Sequence, residues 1–171
     1  KLVGGFPDFS YSEMDMKGEF LGKALALPLM ISPLTGGGDL SRKINRRLAN
    51  AAETLGIAMA VGSQKLMLDS LVSPDSYLLR DLAPHVPLLA NLGLVHVKRG
   101  KDYLLKAVES IAADGLILYV NPLQEVLQDG GEKDFRGLLS KLTEIVTDFP
   151  YPILLKEVGA GLPETLMKWA A

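Results

Sequence analysis

The chain has 171 residues, 48% of them apolar, and 18 basic side chains against 20 acidic ones for a formal charge of −2. The basic residues are scattered, with no stripe, which argues against nucleic acid or an anionic membrane as partner and leaves small-molecule chemistry or protein contacts. With no cysteine there is no disulfide, thiol nucleophile or thiolate metal site, and a reducing, cytoplasmic setting is expected.

The opening Lys1 to Gly5 carries neither a methionine nor the apolar core of a signal peptide, so a native start is expected to be missing. A polar lead dotted with aromatics (1–23) precedes repeating βα units (24–171), all within a single domain. The longest apolar run, Leu25 to Ile31 around Pro28, is far short of the roughly 20 residues a membrane span needs.

From there a short apolar run, a glycine-marked loop and a helix-period segment recur. The runs are Leu27 to Ser32, Ala58 to Val61, Pro87 to Asn91, Leu116 to Asn121 and Ile153 to Glu157. Each is too short for a helix and apolar on both faces, as in parallel strands buried on two sides. Leu40, Ile44, Leu48, Ala52 and Leu55 predict a helix with Asp39 or Ser41 as cap and Gly56 as its end; Leu138, Leu142, Ile145 and Phe149 predict another, and Pro163 suits the first turn of a last one. Five strand–helix units with regular right-handed connections predict the TIM (β/α)8 barrel class, of which this chain would hold the first five units.

In such folds the strand C-termini carry the chemistry, and here they are polar. Thr35-Gly36-Gly37 offers a hydroxyl and approachable backbone N–H groups, or is only a turn before a helix. Gly62-Ser63-Gln64-Lys65 supplies three donors where a phosphate could sit, although Ser63 and Gln64 also suit capping or solvent. Asn91 ends an apolar strand and must find a backbone or a ligand partner. Asn121, Gln124 and Glu125 place two amides and a carboxylate within five positions, a set able to gather a metal, a diphosphate and a proton-transfer group. Lys156, on a buried strand, calls for an anionic ligand or an internal salt bridge with an acid such as Glu157. His85 and His96 fall outside the strand ends and read as surface or loop histidines, while Met59 and Met67 read as core filling.

Taken in order, Phe20-Leu-Gly-Lys23, Pro28-Leu-Met-Ile-Ser32, Thr35-Gly-Gly37, Gly56-Ile-Ala, Val61-Gly-Ser-Gln64, Ala90-Asn-Leu-Gly93, Asn121-Pro-Leu-Gln-Glu125, Asp134-Phe-Arg-Gly137 and Lys156-Glu-Val-Gly159 resemble the type 2 isopentenyl diphosphate isomerase family. The resemblance implies an enzyme that interconverts isopentenyl and dimethylallyl diphosphate with Mg2+ and FMN reduced by NADPH, on a barrel that assembles as a tetramer or octamer. It implies flavin contacts from Thr35, Gly36, Gly37, Ser63, Asn91 and Lys156, substrate contacts from Ser63, Gln64, Lys65, Asn121 and Gln124, Gln124 as the catalytic residue, and Glu125 on Mg2+. Lys65 stands where the family usually has Arg, and Tyr119 where it usually has His; both changes weaken the expected diphosphate grip. The family's N-terminal Arg-Lys element and the flavin-phosphate loops of its last three strands have no counterpart here. A related flavin barrel enzyme with another substrate, or an inactive partial barrel, are the alternative readings.

Overall fold

A computed structural model describes residues 9–170 and the backbone of 2–3 and 6–7; Lys1, Gly4 and Gly5 of the opening segment lie outside the described residues. Two short antiparallel ribbons come first, β1 (Leu2–Val3) with β2 (Phe6–Pro7) and β3 (Gly18–Phe20) with β4 (Lys23–Leu25). The second ribbon turns through Leu21 and Gly22 at φ 52° and 74°, the left-handed pair that suits the twist of a two-residue hairpin. Such a φ is unfavourable for leucine, and packing compensates: Phe20 and Leu21 cover Ala60, Leu89 and Ile117 on the sheet behind them.

Five parallel strands follow: β5 (Met30–Ile31), β6 (Ala58–Ala60), β7 (Leu88–Gly93), β8 (Gly115–Val120) and β9 (Ile153–Glu157). Each overlaps its predicted apolar run, and their order in the sheet is their order in the chain. The expected (β/α)8 barrel is not formed. Among the described residues β5 and β9 each have one neighbour, so the architecture is a mixed α/β fold, an open five-stranded parallel sheet with two added antiparallel ribbons. Closure of a tilted sheet around a filled interior takes about eight strands, and five leave two unpaired edges.

The helices are α1 (Asp39–Leu55), α2 (Lys65–Leu68), α3 (Lys101–Glu109), α4 (Pro122–Leu127), α5 (Leu138–Val146) and α6 (Glu164–Ala170). The main core joins Ala49 and Ala52 of α1, Leu104, Ala107 and Val108 of α3, and Leu138, Leu142 and Ile145 of α5 to Met59, Leu88, Ala90, Leu92, Leu116 and Leu118 of the sheet. The predicted apolar stripe of α1 is displaced: Leu40 and Leu55 are exposed, and the buried positions are Asn45, Ala49 and Ala52. Small residues on that face let the helix lie close to the strands. Gly56 ends α1 as expected, at φ 62° with its N–H on the Ala52 and Glu53 carbonyls. No helix among the described residues is long and apolar enough to cross a membrane.

At the N-terminal end of the sheet one carboxylate ties hairpin to strands. Asp114 accepts from the Leu88 N–H at 2.8 Å, Lys23 Nζ at 2.9 Å and Arg80 at 2.8 Å. Burial acts to raise its pKa, but the Leu88 N–H and the two cations outweigh it and hold the carboxyl below its ordinary 3.8. A depressed folded-state pKa gives stability that is present above the unfolded value and lost as pH falls through the folded one. Asp114→Ala is therefore expected to cost roughly 2–4 kcal/mol at pH 7. In urea unfolding the gap to the unaltered protein should narrow as pH falls below about 4, and a gap that does not change between pH 7 and acid would sink the ion-pair account.

Candidate active site

Side chains alternate along each strand, so the residues between the helix-facing Ala90, Leu92, Leu118 and Leu155 point to the sheet's other face. At the C-terminal end of that face stand Asn91, Tyr119 and Lys156, with Asn91 opposite Ile117 and Tyr119 directly between Gly93 and Lys156. Asn91 is 3% exposed, and its Oδ1 is the one buried side-chain polar atom among the described residues that lacks a hydrogen-bond partner. An unmet buried acceptor costs roughly 1–3 kcal/mol, so this position calls for an N–H or O–H donor from outside the chain. Lys156 is half-buried; its Nζ donates to the Glu157 carbonyl at 2.9 Å and makes no ion pair among the described residues. The salt bridge to Glu157 is absent because the Glu157 carboxylate accepts main-chain N–H groups of Gly159 and Gly161. Burial pushes the Tyr119 phenol above its ordinary pKa, which keeps it a proton-bearing donor at neutral pH.

The loop after β5 is braced from behind. Thr35 Oγ1 meets Ser41 Oγ at 2.7 Å, the Thr35 carbonyl accepts Asn45 Nδ2 at 2.9 Å, and the Gly37 N–H donates to Ser76 Oγ at 2.8 Å. Gly36 and Gly62 serve close packing: a Cβ on Gly36 would fall 2.3 Å from the Tyr77 ring, and one on Gly62 would fall 2.4 Å from the Thr35 carbonyl. The Ser63 carbonyl accepts the Tyr77 hydroxyl at 3.0 Å. Gln64, expected among the substrate contacts, is instead fully buried, with its amide donating to the Ala107 carbonyl and accepting the Asn91 N–H. Lys65 opens α2 and stays partly exposed.

After β8, Asn121 caps α4. Its Oδ1 accepts the Gln124 N–H at 3.2 Å and its Nδ2 donates to Gln124 Oε1 at 2.8 Å, so these two amides are held as a pair, with Gln124 exposed. Glu125 is 5% exposed; its Oε2 accepts Gln128 Nε2 and the Glu132 N–H, and Oε1 has no hydrogen bond among the described residues. It lines a cleft of about 330 Å3 with Lys65, Asp69, His96, Arg99 and Gly131. His96 is not the surface residue expected from sequence: it is buried, edge-on to Tyr103 with ring centroids 6.1 Å apart, and burial lowers its pKa. His85 is exposed, on Glu53 at 2.6 Å. Asn45, Ser76 and Tyr77 follow no strand end, so strand-end polarity does not point to them; His96 stands three residues past the end of β7 and is buried there.

A cleft of about 510 Å3 on the helix layer is lined by Arg42, Arg46, Asp81 and Glu109 among others. Its charges compensate one another, as in Arg46 with Asp81 at 3.8 Å, and it holds no orphaned polar atom. The strand ends are the stronger site. Among the described residues no three His, Cys, Asp or Glu side chains converge on one point, so a cation there would take one carboxylate, ligand oxygens and water, which is the usual habit of Mg2+.

The chain is an α/β protein whose parallel sheet gathers an orphaned carboxamide, an ammonium without an ion pair among the described residues and a carboxylate near its strand C-termini, the end at which open α/β sheets generally take ligands. No family model matches the chain. Among curated proteins it is similar to the isopentenyl-diphosphate delta-isomerase of Pseudescherichia vulneris, 47% identical over 167 residues, which are 94% of this chain and 47% of that protein. It is likewise similar to the proteins of that name from Cronobacter sakazakii, 44% identical over 162 residues (91% of this chain, 46% of that one), and Thermococcus onnurineus, 44% identical over 165 residues (91% and 44%). The chain spans about half the length of the curated relatives it matches.

Proposed function

We propose that this chain is part of a type 2 isomerase that interconverts isopentenyl and dimethylallyl diphosphate, with Mg2+ and FMN reduced by NADPH, as a cytoplasmic homo-oligomer. The observation that carries the reading is the orphaned Asn91 Oδ1 on β7 and, across β8 on the same face, a Lys156 ammonium with no ion pair among the described residues, in a chain whose relatives bear the isomerase name. A flat heterocycle with N–H donors and an electron-rich end meets both needs at once.

On this reading Asn91 accepts a ring N–H, and Lys156 supports negative charge on the ring, with the Thr35, Gly36, Gly37 and Ser63 loops around it. Reduced FMN, when bound, supplies an electron-rich system able to exchange a proton with the allylic carbons. The reaction adds a proton at one end of the allylic unit and removes one from the other, so its net redox change is zero. Gln124 would share the proton transfer with the reduced flavin, since a neutral amide is a poor base alone. Asn121, Ser63 and Lys65 hold the diphosphate. Glu125, whose Oε1 has no hydrogen bond among the described residues, would hold Mg2+, which would neutralise diphosphate charge.

The full-length protein is expected to bind FMN and to turn over isopentenyl diphosphate when FMN, Mg2+ and NADPH are present. Absence of flavin uptake, read from the absorbance spectrum, would sink the proposal. Flavin uptake without turnover would favour a related flavin enzyme with another substrate, for which Lys65 and Tyr119 are the residues to suspect.

A further inference from the structure

We propose that Gln64 is a positioning residue of this site, touching no ligand but holding the Asn91 peptide so that the Asn91 carboxamide oxygen faces the ligand. The inference rests on the flavin reading above. β6 ends at Ala60 and pairs with β7 only through Met59–Leu88 and Ala60–Leu89, whereas β7 continues to Gly93. Beyond Leu89 the β6 side of β7 has therefore lost its strand partner just where Asn91 stands. Gln64 takes that place. Its main-chain N–H donates to the Asn91 carbonyl at 2.9 Å, and its Oε1 accepts the Asn91 N–H at 3.0 Å. One residue thus fills both main-chain positions that a strand would have filled.

The other end of the same amide is anchored. Gln64 Nε2 donates at 2.8 Å to the carbonyl of Ala107, one of the last four of α3, which the helix itself leaves unbonded. The side chain is fully buried, so it has no water to fall back on, and its orientation is set: donor to helix, acceptor to strand. With the Asn91 backbone clamped on this side and paired to β8 on the other, its side chain is directed to the face opposite the helices, where the buried Oδ1 has no partner among the described residues.

The test uses the full-length protein with FMN as the probe, comparing Gln64→Met and Gln64→Glu with the unaltered protein from pH 5 to pH 8, after circular dichroism has shown which are folded. A buried glutamic acid, its pKa raised by burial, carries an O–H donor and a carbonyl acceptor at low pH and so reproduces the amide. Gln64→Met is expected to bind FMN roughly 10-fold to 100-fold more weakly at every pH, the usual range for losing a supporting hydrogen bond. Gln64→Glu should match the unaltered protein near pH 5 and lose affinity, relative to it, as pH rises. If the methionine variant fails to fold, the glutamate profile decides alone. Unchanged affinity in a folded Gln64→Met, or a pH-independent loss in Gln64→Glu, overturns the positioning role while the flavin reading stands. Failure of the unaltered protein to bind FMN overturns both.

Discussion

Gly62→Ala is expected to lower stability by roughly 3 kcal/mol or more, in the upper range for single substitutions. The added Cβ would fall 2.4 Å from the carbonyl carbon and oxygen of Thr35 and 2.9 Å from its Cα. All three are backbone atoms, so no side chain can swing aside. Relief requires the loop after β5 to move, which breaks the bond from the Gly62 N–H to the Thr35 carbonyl and disturbs the one from Asn45 to the same oxygen. Because Ser76 also holds Gly37, the displacement would spread along Thr35 to Gly37, and FMN affinity should fall with stability. Gly18→Ala is the control: a Cβ there meets nothing within 4 Å, and a change under about 1 kcal/mol is expected. Urea unfolding of both variants decides, and a Gly62→Ala loss as small as that of Gly18→Ala would mean that the two loops can slide apart freely.

The parallel strands were legible because burial on both faces leaves unbroken apolar runs such as Leu116 to Val120, and their order followed from the repeat. The hairpin was not, since its strands are three residues long and its turn puts a leucine where glycine or asparagine would have signalled it. The face of α1 was legible in part: Leu48 and Ala52 pack on the core, but an apolar count also favours the exposed Leu40 and Leu55 over the buried Ala49. α3 was not among the predicted helices; nine residues with Leu104, Ala107 and Val108 as their buried set give a weak period. The barrel was an extrapolation of five units to eight, and strand pairing, not periodicity, determines closure. Strand-end polarity singled out Asn91, Asn121, Glu125 and Lys156, which the structure places at or just beyond the C-termini of β7, β8 and β9. It could not separate Gln64 from them, because a buried amide serving the backbone and an exposed one serving a ligand look alike in sequence. Nor could it show that His96, three residues past Gly93, is buried, because that depends on packing such as its edge-on contact with Tyr103.

Lys156→Met is expected to move activity and stability apart. The ammonium is half-buried on β9, bonded only to a carbonyl and without an ion pair among the described residues, so the folded chain gains little from its charge. Its replacement by an apolar chain of similar length removes a desolvated cation, and urea unfolding should show stability unchanged or raised by up to about 1 kcal/mol. Turnover of isopentenyl diphosphate by the full-length protein should fall roughly 100-fold, the usual scale for removing one preorganised electrostatic partner of developing charge. Lys156→Arg keeps the cation but spreads it over a planar fork, and it should recover part of the rate. A structural lysine would give the opposite pattern, with stability and activity falling together and arginine restoring both. Retention of turnover within about threefold in Lys156→Met would remove this residue from the chemistry and leave Asn91 and Tyr119 as the polar groups on that face.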